Sequence, residues 1–401
     1  MAAETAGSGS ALPRPVVAVV RAWQRIFHGP NTIGNSWQFW AGFALAVAAL
    51  FSYPVLAGGY QASRFALFIV YAFLGLSLSV VWGYAGILSF GQVAFFGVSG
   101  YTFGVVALNF DTPFGILGAF AGAVVAGAAL SFVLGYFMFY GGVRDVYVTI
   151  ITLVVTLVLE TFMSQTAGDE WTIGAAPLGG FNGMPGIPEL AVPVPGLLVQ
   201  LLGPLGVESA PIVLGAGDGT FYRFALALLV LTYLGLRALV NSDYGRVMVA
   251  VREDEDRTRM FGYDVERVKL AVFTFGGALA GLAGVLYAAW GNYVSPGVYA
   301  LTFASLPVIW VSVGGRKSLL GALVGSIALA FASNSLVGEW AFVIIGALLL
   351  VVVLFLPRGF VPAVRDMALF AWRTARRYRS GEPEGSVSEN PEAAADAEVT
   401  D

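Results

Sequence analysis

The chain has no cysteine, a single histidine, and only 11% charged side chains in 401 residues. Without cysteine there are no disulfides, thiolate metal sites or Cys/His nucleophilic pairs. The lone histidine, His28, lies in a polar stretch beside Gly29 and Pro30 and reads as an ordinary surface residue. Lysine is found only at Lys269 and Lys317. No G-x-x-x-x-G-K-[ST] run is present to cradle ATP phosphates, and no hydrolytic constellation is visible. An enzyme, a metal site and a bound cofactor are therefore not expected. The N-terminal M-A-A-E-T-A-G-S-G-S has no basic region running into an apolar one, so no signal peptide is indicated and the first span must itself start insertion.

What the chain has instead is apolar length. Hydrophobic residues make up 58% of it and the mean hydropathy is +0.79, whereas soluble domains carry about 25% charged residues. Runs of roughly the 17–25 residues that cross a hydrocarbon core of about 30 Å stand at 37–57, 65–82, 93–109, 114–139, 146–164, 221–240, 269–290, 298–313, 319–337 and 340–356. The expected fold is an all-α, polytopic membrane protein with about 8–10 transmembrane helices. The stretches 86–109 and 298–313 are open to a re-entrant reading. Four regions follow: a cytoplasmic N-terminal segment 1–36, a transmembrane domain 37–357, a basic juxtamembrane segment 358–381 and a disordered acidic tail 382–401.

Charge sets the expected orientation. Arg14, Arg21 and Arg25 precede the first span; Arg246, Arg252, Arg257, Arg259 and Arg267 fill the connection 241–268; and Arg316 with Lys317 marks a second inner connection. The positive-inside rule puts these, with both termini, in the cytoplasm of a cell whose plasma membrane the chain crosses. The connection 165–220 has no lysine or arginine and carries Asp169, Glu170, Glu189, Glu208 and Asp218. It belongs outside, and its length suits a cap or a docking surface.

The chain is organised around Trp82–Asn109. This apolar segment is interrupted by Gly83, Gly86, Gly91, Gly97, Gly100 and Gly104 and holds polar Ser89 and Gln92. Broken backbone is tolerated at membrane depth only where protein covers it or where it lines a wet cavity. Gly83, Gly86, Ser89, Gly91, Gln92, Gly97 and Gly100 are thus candidates for the wall of a translocation path, against the plainer reading that the glycines only let helices pack closely. Within the spans Glu160 is the clearest ionisable group, a candidate for substrate contact or gating.

In the inner connection, Val247, Ala250, Val251, Thr258 and Phe261 recur at near-helical spacing, and Gly262 stands where a helix would end left-handed. One short amphipathic helix over Arg252–Gly262 is expected, its mixed charges suited to a protein surface.

Four stretches together resemble one family. They are G-Y-A-G-I-L-S-F-G-Q-V-A-F-F-G-V-S-G-Y at 83–101, G-G-F-N-G-M-P-G-I-P at 179–188, G-R-V-M-V-A-V-R-E-D-E-D-R-T-R-M-F-G-Y at 245–263, and A-L-A-G-L-A-G-V-L-Y at 278–287 with Ser295-Pro296 after it. The likeness, from about residue 65 to 362, is to the LivM-type permeases of ABC importers for branched-chain amino acids and urea. It implies a half-pore that pairs with a homologous second permease, binds two cytoplasmic ATPase subunits, and takes substrate from an extracytoplasmic binding protein. The resemblance assigns ATPase coupling to 245–263, hence to Val251, Arg252, Asp256, Arg257, Arg259, Phe261 and Gly262. Many importers have Glu-Ala-Ala, three residues and Gly in that loop; here Asp256, Arg257 and Thr258 precede Gly262. The stretches 308–321 and 257–263 look like the urea branch and 182–188 like the amino-acid branch, so urea or a short amide and a branched-chain amino acid both stand as substrates. An ion-coupled secondary transporter is the alternative, although it normally needs several intramembrane acids or histidines.

Overall fold

The computed structural model describes residues 23–335 except 25, 169, 194–210 and 218, together with 346, 350, 359–365 and 367. The tail 382–401 and most of the expected span 340–356 and of the segments 1–36 and 358–381 lie outside the described residues.

Among the described residues, seven helical stretches are long and apolar enough to cross a membrane. They are α1 (Trp37–Ala57), α2 (Gly59–Leu78, continued by one π-helical turn, Ser79–Tyr84), α3 (Gln92–Asn109), α4 (Pro113–Tyr140), α5 (Val146–Gln165), α6 (Thr220–Asn241) and, after two short helices, α9 (Val265–Gly291). The short pair is α7 (Asp243–Glu253) and α8 (Glu255–Met260). Two shorter apolar helices follow among the described residues, α10 (Leu301–Gly314) and α11 (Leu319–Ser335).

Helices α2, α3, α4 and α9 form the centre, with α6, α10 and α11 packed round α2. Of the apolar window of α2, 78% is buried, against 6% for α1, so α1 is a peripheral helix with an apolar surface left for lipid. Small residues let the central backbones approach. A Cβ on Gly284 of α9 would sit 1.9 Å from the Phe96 carbonyl oxygen of α3, and one on Gly127 of α4 would meet the Ser99 hydroxyl at 2.3 Å. That is the small-residue packing expected where lipid is as apolar as the helices themselves.

The two ends of the bundle differ. At one, residues 27–35, the end of α6, Tyr84, Arg316 and Lys317 meet: the Tyr84 hydroxyl donates to the Asn31 carbonyl, and Asn31 Nδ2 to the Val240 carbonyl. Gly359 also reaches this end, against Gly315. The basic connections thus share a face, called here the arginine end. At the other, the loop end, the connection after α5 and a short strand after α9 make three two-stranded ladders: β1 (Thr172–Ile173) with β2 (Ala176–Pro177), β3 (Met184–Pro185) with β6 (Tyr293–Val294, after α9), and β4 (Leu190–Val192) with β5 (Ile212–Leu214). This part was expected only as a long loop. Its turns depend on glycine: Gly179, Gly180, Gly183 and Gly186 all have positive φ, a region glycine enters without steric cost.

The interruption is narrower than the sequence implied. Irregular backbone is confined to Ala85–Gly91, with Gly86 at φ +79°, and α3 then runs unbroken past Gly97, Gly100 and Gly104. The re-entrant reading of 86–109 is therefore corrected. Glycine costs a helix about 1 kcal/mol relative to alanine, but here each glycine lies under a neighbour: Tyr299 over Gly97, the Gly284 carbonyl over Gly100, Met184 and Ile187 over Gly104. A second interruption stands before α10. Tyr293–Ala300 runs as strand, 3-10 turn (Pro296–Tyr299) and extended backbone, leaving α10 with 14 residues, about 21 Å of helix and too short to cross alone.

A buried arginine the sequence reading overlooked anchors the N-terminal segment. Arg237 of α6 is inaccessible to solvent; its guanidinium donates to the carbonyls of Phe27 (2.7 Å), Ile33 (2.9 Å) and Gly34 (2.7 Å) and to Asn35 Oδ1 (3.0 Å), and lies over the rings of Phe39 and Trp40. His28 is part of this clasp, not a plain surface residue. Its Nε2 accepts from Trp40 Nε1 at 3.0 Å, and burial, then the nearby Arg237 charge, lower its pKa, which keeps the ring neutral as an acceptor must be. Arg237→Ala should lower stability by on the order of 3 kcal/mol, since it strands several acceptors of a charged donor. Limited proteolysis checks this: residues 23–36 should become cleavable in the folded variant, and equal resistance in both proteins would show that the clasp does not hold the segment.

Candidate functional site: an interrupted span between two cavities

A backbone without helical bonds must be satisfied by something else at membrane depth. For Ala85–Gly91 much of that comes from α5. Thr149 donates its hydroxyl to the Leu88 carbonyl (3.0 Å), the Thr152 hydroxyl accepts from the Phe90 amide (3.3 Å), and the Thr156 hydroxyl donates to the Phe90 carbonyl (3.5 Å). Within the segment the Ser89 hydroxyl accepts from the Gly91 amide at 3.0 Å. These threonines were missed in the sequence. Their signal is the spacing Thr149, Thr152, Thr156, which falls on one face of a helix.

At the start of α3, Gln92 is buried and its Oε1 accepts from the Ser77 hydroxyl at 2.7 Å, while that hydroxyl lies 2.7 Å from the Gly276 carbonyl. Gln92 Nε2, Ser79 Oγ, Ser99 Oγ, Tyr101 OH and Thr274 Oγ1 are buried with no partner among the described residues. Five unpaired polar groups in an apolar interior are costly, at about 1–3 kcal/mol each. They are spread through the interior, with Ser99 in the packing contact against Gly127 and Gly281 and Tyr101 toward the loop end, and buried water is the usual partner of such groups.

The same face of α5 joins two cavities. Toward the arginine end, a small one of about 70 Å³ is bounded by Gly86, Ile87, Asp145, Val148, Arg252 and Lys269. Toward the loop end lies one of about 510 Å³, open to one side and bounded by Tyr101, Leu159, Met163, Glu170, Trp171 and Tyr299 among others. Val148, Thr152, Thr156 and Met163 of α5 are buried between them. Glu160 is half-buried on α5 but does not border the large cavity.

The inner connection is linked directly to the interrupted span. Arg252 Nη1 donates to the Gly83 carbonyl at 2.5 Å, and its side chain packs against the position of Gly86. Arg252 also donates to Glu253, which Lys317 Nζ approaches at 3.4 Å. The Arg252 hydrogen bond, then the Arg252 and Lys317 charges, hold the Glu253 carboxyl below its usual range. Lys269 at the start of α9 is ion-paired with Glu255 and nearly buried.

The single helix expected over Arg252–Gly262 is two. Glu253 ends α7, Asp254 has extended φ/ψ, and its carboxylate accepts from the Arg257 amide to cap α8. Asp254 favours capping because its short acceptor competes with the helix interior. Val251 is 1% exposed and packs into the chain's own core, so it cannot anchor a partner as expected. Met260, Phe261 and Tyr263 are instead exposed at the tip, with Phe261 at 77%. Gly262 has φ +87°, the positive value the sequence implied, and open space where a Cβ would lie. Arg259 pairs with Asp256 and Glu266, whereas Arg257, among the described residues, has one ion-pair partner, Asp254 at 3.6 Å.

A many-helix membrane protein whose central span is broken between cavities at opposite ends has the architecture of a solute permease. Residues 62–353 match the family described as branched-chain amino acid transport system / permease component, and the chain belongs to that family. It is similar to the high-affinity branched-chain amino acid transport system permease protein LivM of Escherichia coli, 28% identical over 322 residues that make up 75% of this chain and 69% of that one. Similarity extends to the probable branched-chain amino acid transport permease protein LivM of Methanocaldococcus jannaschii, 26% identical over 271 residues (64% of this chain, 76% of that one). The permease protein LivH of Salmonella typhimurium is 25% identical over 310 residues (72% and 90%). No solved structure matches the chain. These relatives are transport subunits, and the chain is a transport subunit rather than an enzyme.

Proposed function

We propose that the chain is one permease subunit of an ABC importer in the plasma membrane, carrying a branched-chain amino acid into the cell while partner chains bind and hydrolyse ATP. The observation that carries this reading is the broken span held by the α5 threonines between two cavities. The solute passes between α5 and the two interruptions, Ala85–Gly91 and Tyr293–Ala300. Gly86, Ser89, Gly91 and Gln92 border the route; Gly83, Gly97 and Gly100 hold its walls in close contact; and Glu160 tunes passage from the flank. The arginine end, with both termini, faces the cytoplasm by the positive-inside rule, and the loop end receives solute from an extracytoplasmic binding protein. Similarity to both LivM and LivH proteins supports a homologous second permease as partner.

Two ATPase subunits dock at the arginine end. Met260, Phe261 and Tyr263 provide the exposed apolar anchors there, with Arg257, Arg259 and Asp256 setting orientation. A push on α8 reaches the broken span through Arg252 and its bond to Gly83. Phe261→Ala should weaken ATPase binding by about 1–3 kcal/mol, the usual scale of an interface anchor. Gly262→Val should impair coupling, because a β-branched residue resists positive φ. Co-purification of the ATPases with substrate-stimulated hydrolysis is the measurement; full binding and coupled uptake in both variants would reduce the tip to a connector.

The substrate is tested by uptake of labelled leucine and labelled urea into vesicles bearing the assembled importer. Leucine uptake supports the reading. Uptake of urea alone would move the chain to the branch that 257–263 and 308–321 resemble, and dependence on a proton or sodium gradient without ATP would make it a secondary transporter.

A further inference from the structure

The loop-end cavity has a chemistry that the permease assignment does not specify. Its walls are Val98, Val105, Leu159, Phe162, Met163 and Leu178, drawn from α3, α5 and the segment just after β2. Tyr299, within the second interruption, also borders the space; it is 1% exposed, stacks on Tyr101 at 6.2 Å, and sits over Gly97. Trp171 and Phe162 meet edge-on at 5.9 Å at one side of the mouth. Only one charged group borders the space among the described residues, the carboxylate of Glu170. The Tyr101 hydroxyl is buried at this wall and has no partner among the described residues.

We propose that this cavity is a subsite for the aliphatic side chain of an amino acid, with the substrate's ammonium turned toward Glu170 and its chain seated on Leu159, Met163 and Tyr299. The inference rests on the amino-acid reading of the permease and adds where, and by what, the side chain is recognised. A space of about 510 Å³ is of the size that small-ligand sites use. Urea would bury no apolar surface against these walls, and it would meet few of the donors and acceptors that its amide groups require. An aliphatic chain gains from every methylene it removes from water, and the Glu170 carboxylate gives the ammonium a partner where the wall is otherwise apolar. The subsite thereby favours longer aliphatic chains at the mouth of the route, before the solute reaches the threonine face of α5.

The chain's lack of cysteine makes the test direct. Thr102 borders the cavity, so Thr102→Cys in the assembled importer, in lipid vesicles, places one thiol of this subunit there for a water-soluble maleimide. Protection from labelling is measured with glycine, alanine, valine, leucine and urea. Half-protecting concentrations should fall about fourfold for each added methylene, and urea should not protect. In the otherwise unaltered chain, Leu159→Trp should fill the cavity and lower the ratio of leucine to alanine uptake by about tenfold, the scale on which an apolar pocket reads side-chain size. If the unaltered importer carries leucine but labelling is protected equally by every solute, or by none, the subsite is overturned and the permease reading stands. If the unaltered importer carries no branched-chain amino acid, both fall. Should the Leu159→Trp chain fail to fold, the Thr102→Cys protection series decides alone.

Discussion

Gly83→Val will prevent the protein from reaching its native packing. A Cβ at Gly83 would lie 1.9 Å from the Arg316 carbonyl oxygen and 3.0 Å from its carbon. The obstacle is backbone, in the tight connection between α10 and α11, and cannot rotate aside as a flexible side chain would. Overpacking in a core costs about 1–3 kcal/mol when side chains can yield; a main-chain obstacle should exceed about 3 kcal/mol. The same residue gives its carbonyl to Arg252, so displacement also loosens the link to the inner connection. Gly235→Ala on α6 is the control, because a Cβ there meets nothing within 4 Å and alanine should gain about 1 kcal/mol of helix propensity. Thermal unfolding of the purified proteins in lipid measures both. A Gly83→Val midpoint equal to that of the unaltered chain would mean that the close approach of Gly83 to Arg316 does not exist in the folded protein.

The double variant Thr152→Val, Thr156→Val should abolish uptake and loosen the broken span while the chain still inserts. Valine keeps the shape of threonine but cannot bond, so the Phe90 amide and carbonyl lose their side-chain partners. A buried polar group left unsatisfied costs about 1–3 kcal/mol, and both groups lie in the seven irregular residues that interrupt the route. Hydrogen exchange should therefore accelerate at Leu88–Gln92 and remain slow in the core of α9. Thr161→Val is the comparison, since that hydroxyl is exposed and bonds only back to the Leu157 carbonyl of its own helix; uptake should persist. Undiminished leucine uptake by the double variant would remove the threonine face from the transport route.

Much of this protein was legible as a string. A bilayer is an unforgiving solvent: it demands long apolar runs with internally satisfied backbones, and those runs predicted α1–α6 and α9 to within a few residues in most cases. The glycine cluster at 83–91 and the buried polar pair Ser89 and Gln92 pointed to the break. The arginine pattern marked which connections share an end, and the positive φ of Gly262 followed from its place after an amphipathic run. His28 and Val251 misled because partners decide them, Trp40 in one case and the chain's own core in the other.

Composition and hydropathy by themselves determined a polytopic helical membrane protein with no cysteine chemistry and no nucleotide loop, because those properties depend only on which residues are present and how far apart they stand. Tertiary structure alone decided the rest. It separated the glycines that break the chain, at Gly86, from those that let helices touch, at Gly97, Gly100 and Gly104. It paired the threonines of α5 with the free backbone of Ala85–Gly91, joined Arg252 to Gly83 across 169 positions, and buried Arg237 against a segment more than 200 residues away. A local pattern carries the period of a helix face but not the identity of the face opposite, and each of these contacts is made between faces.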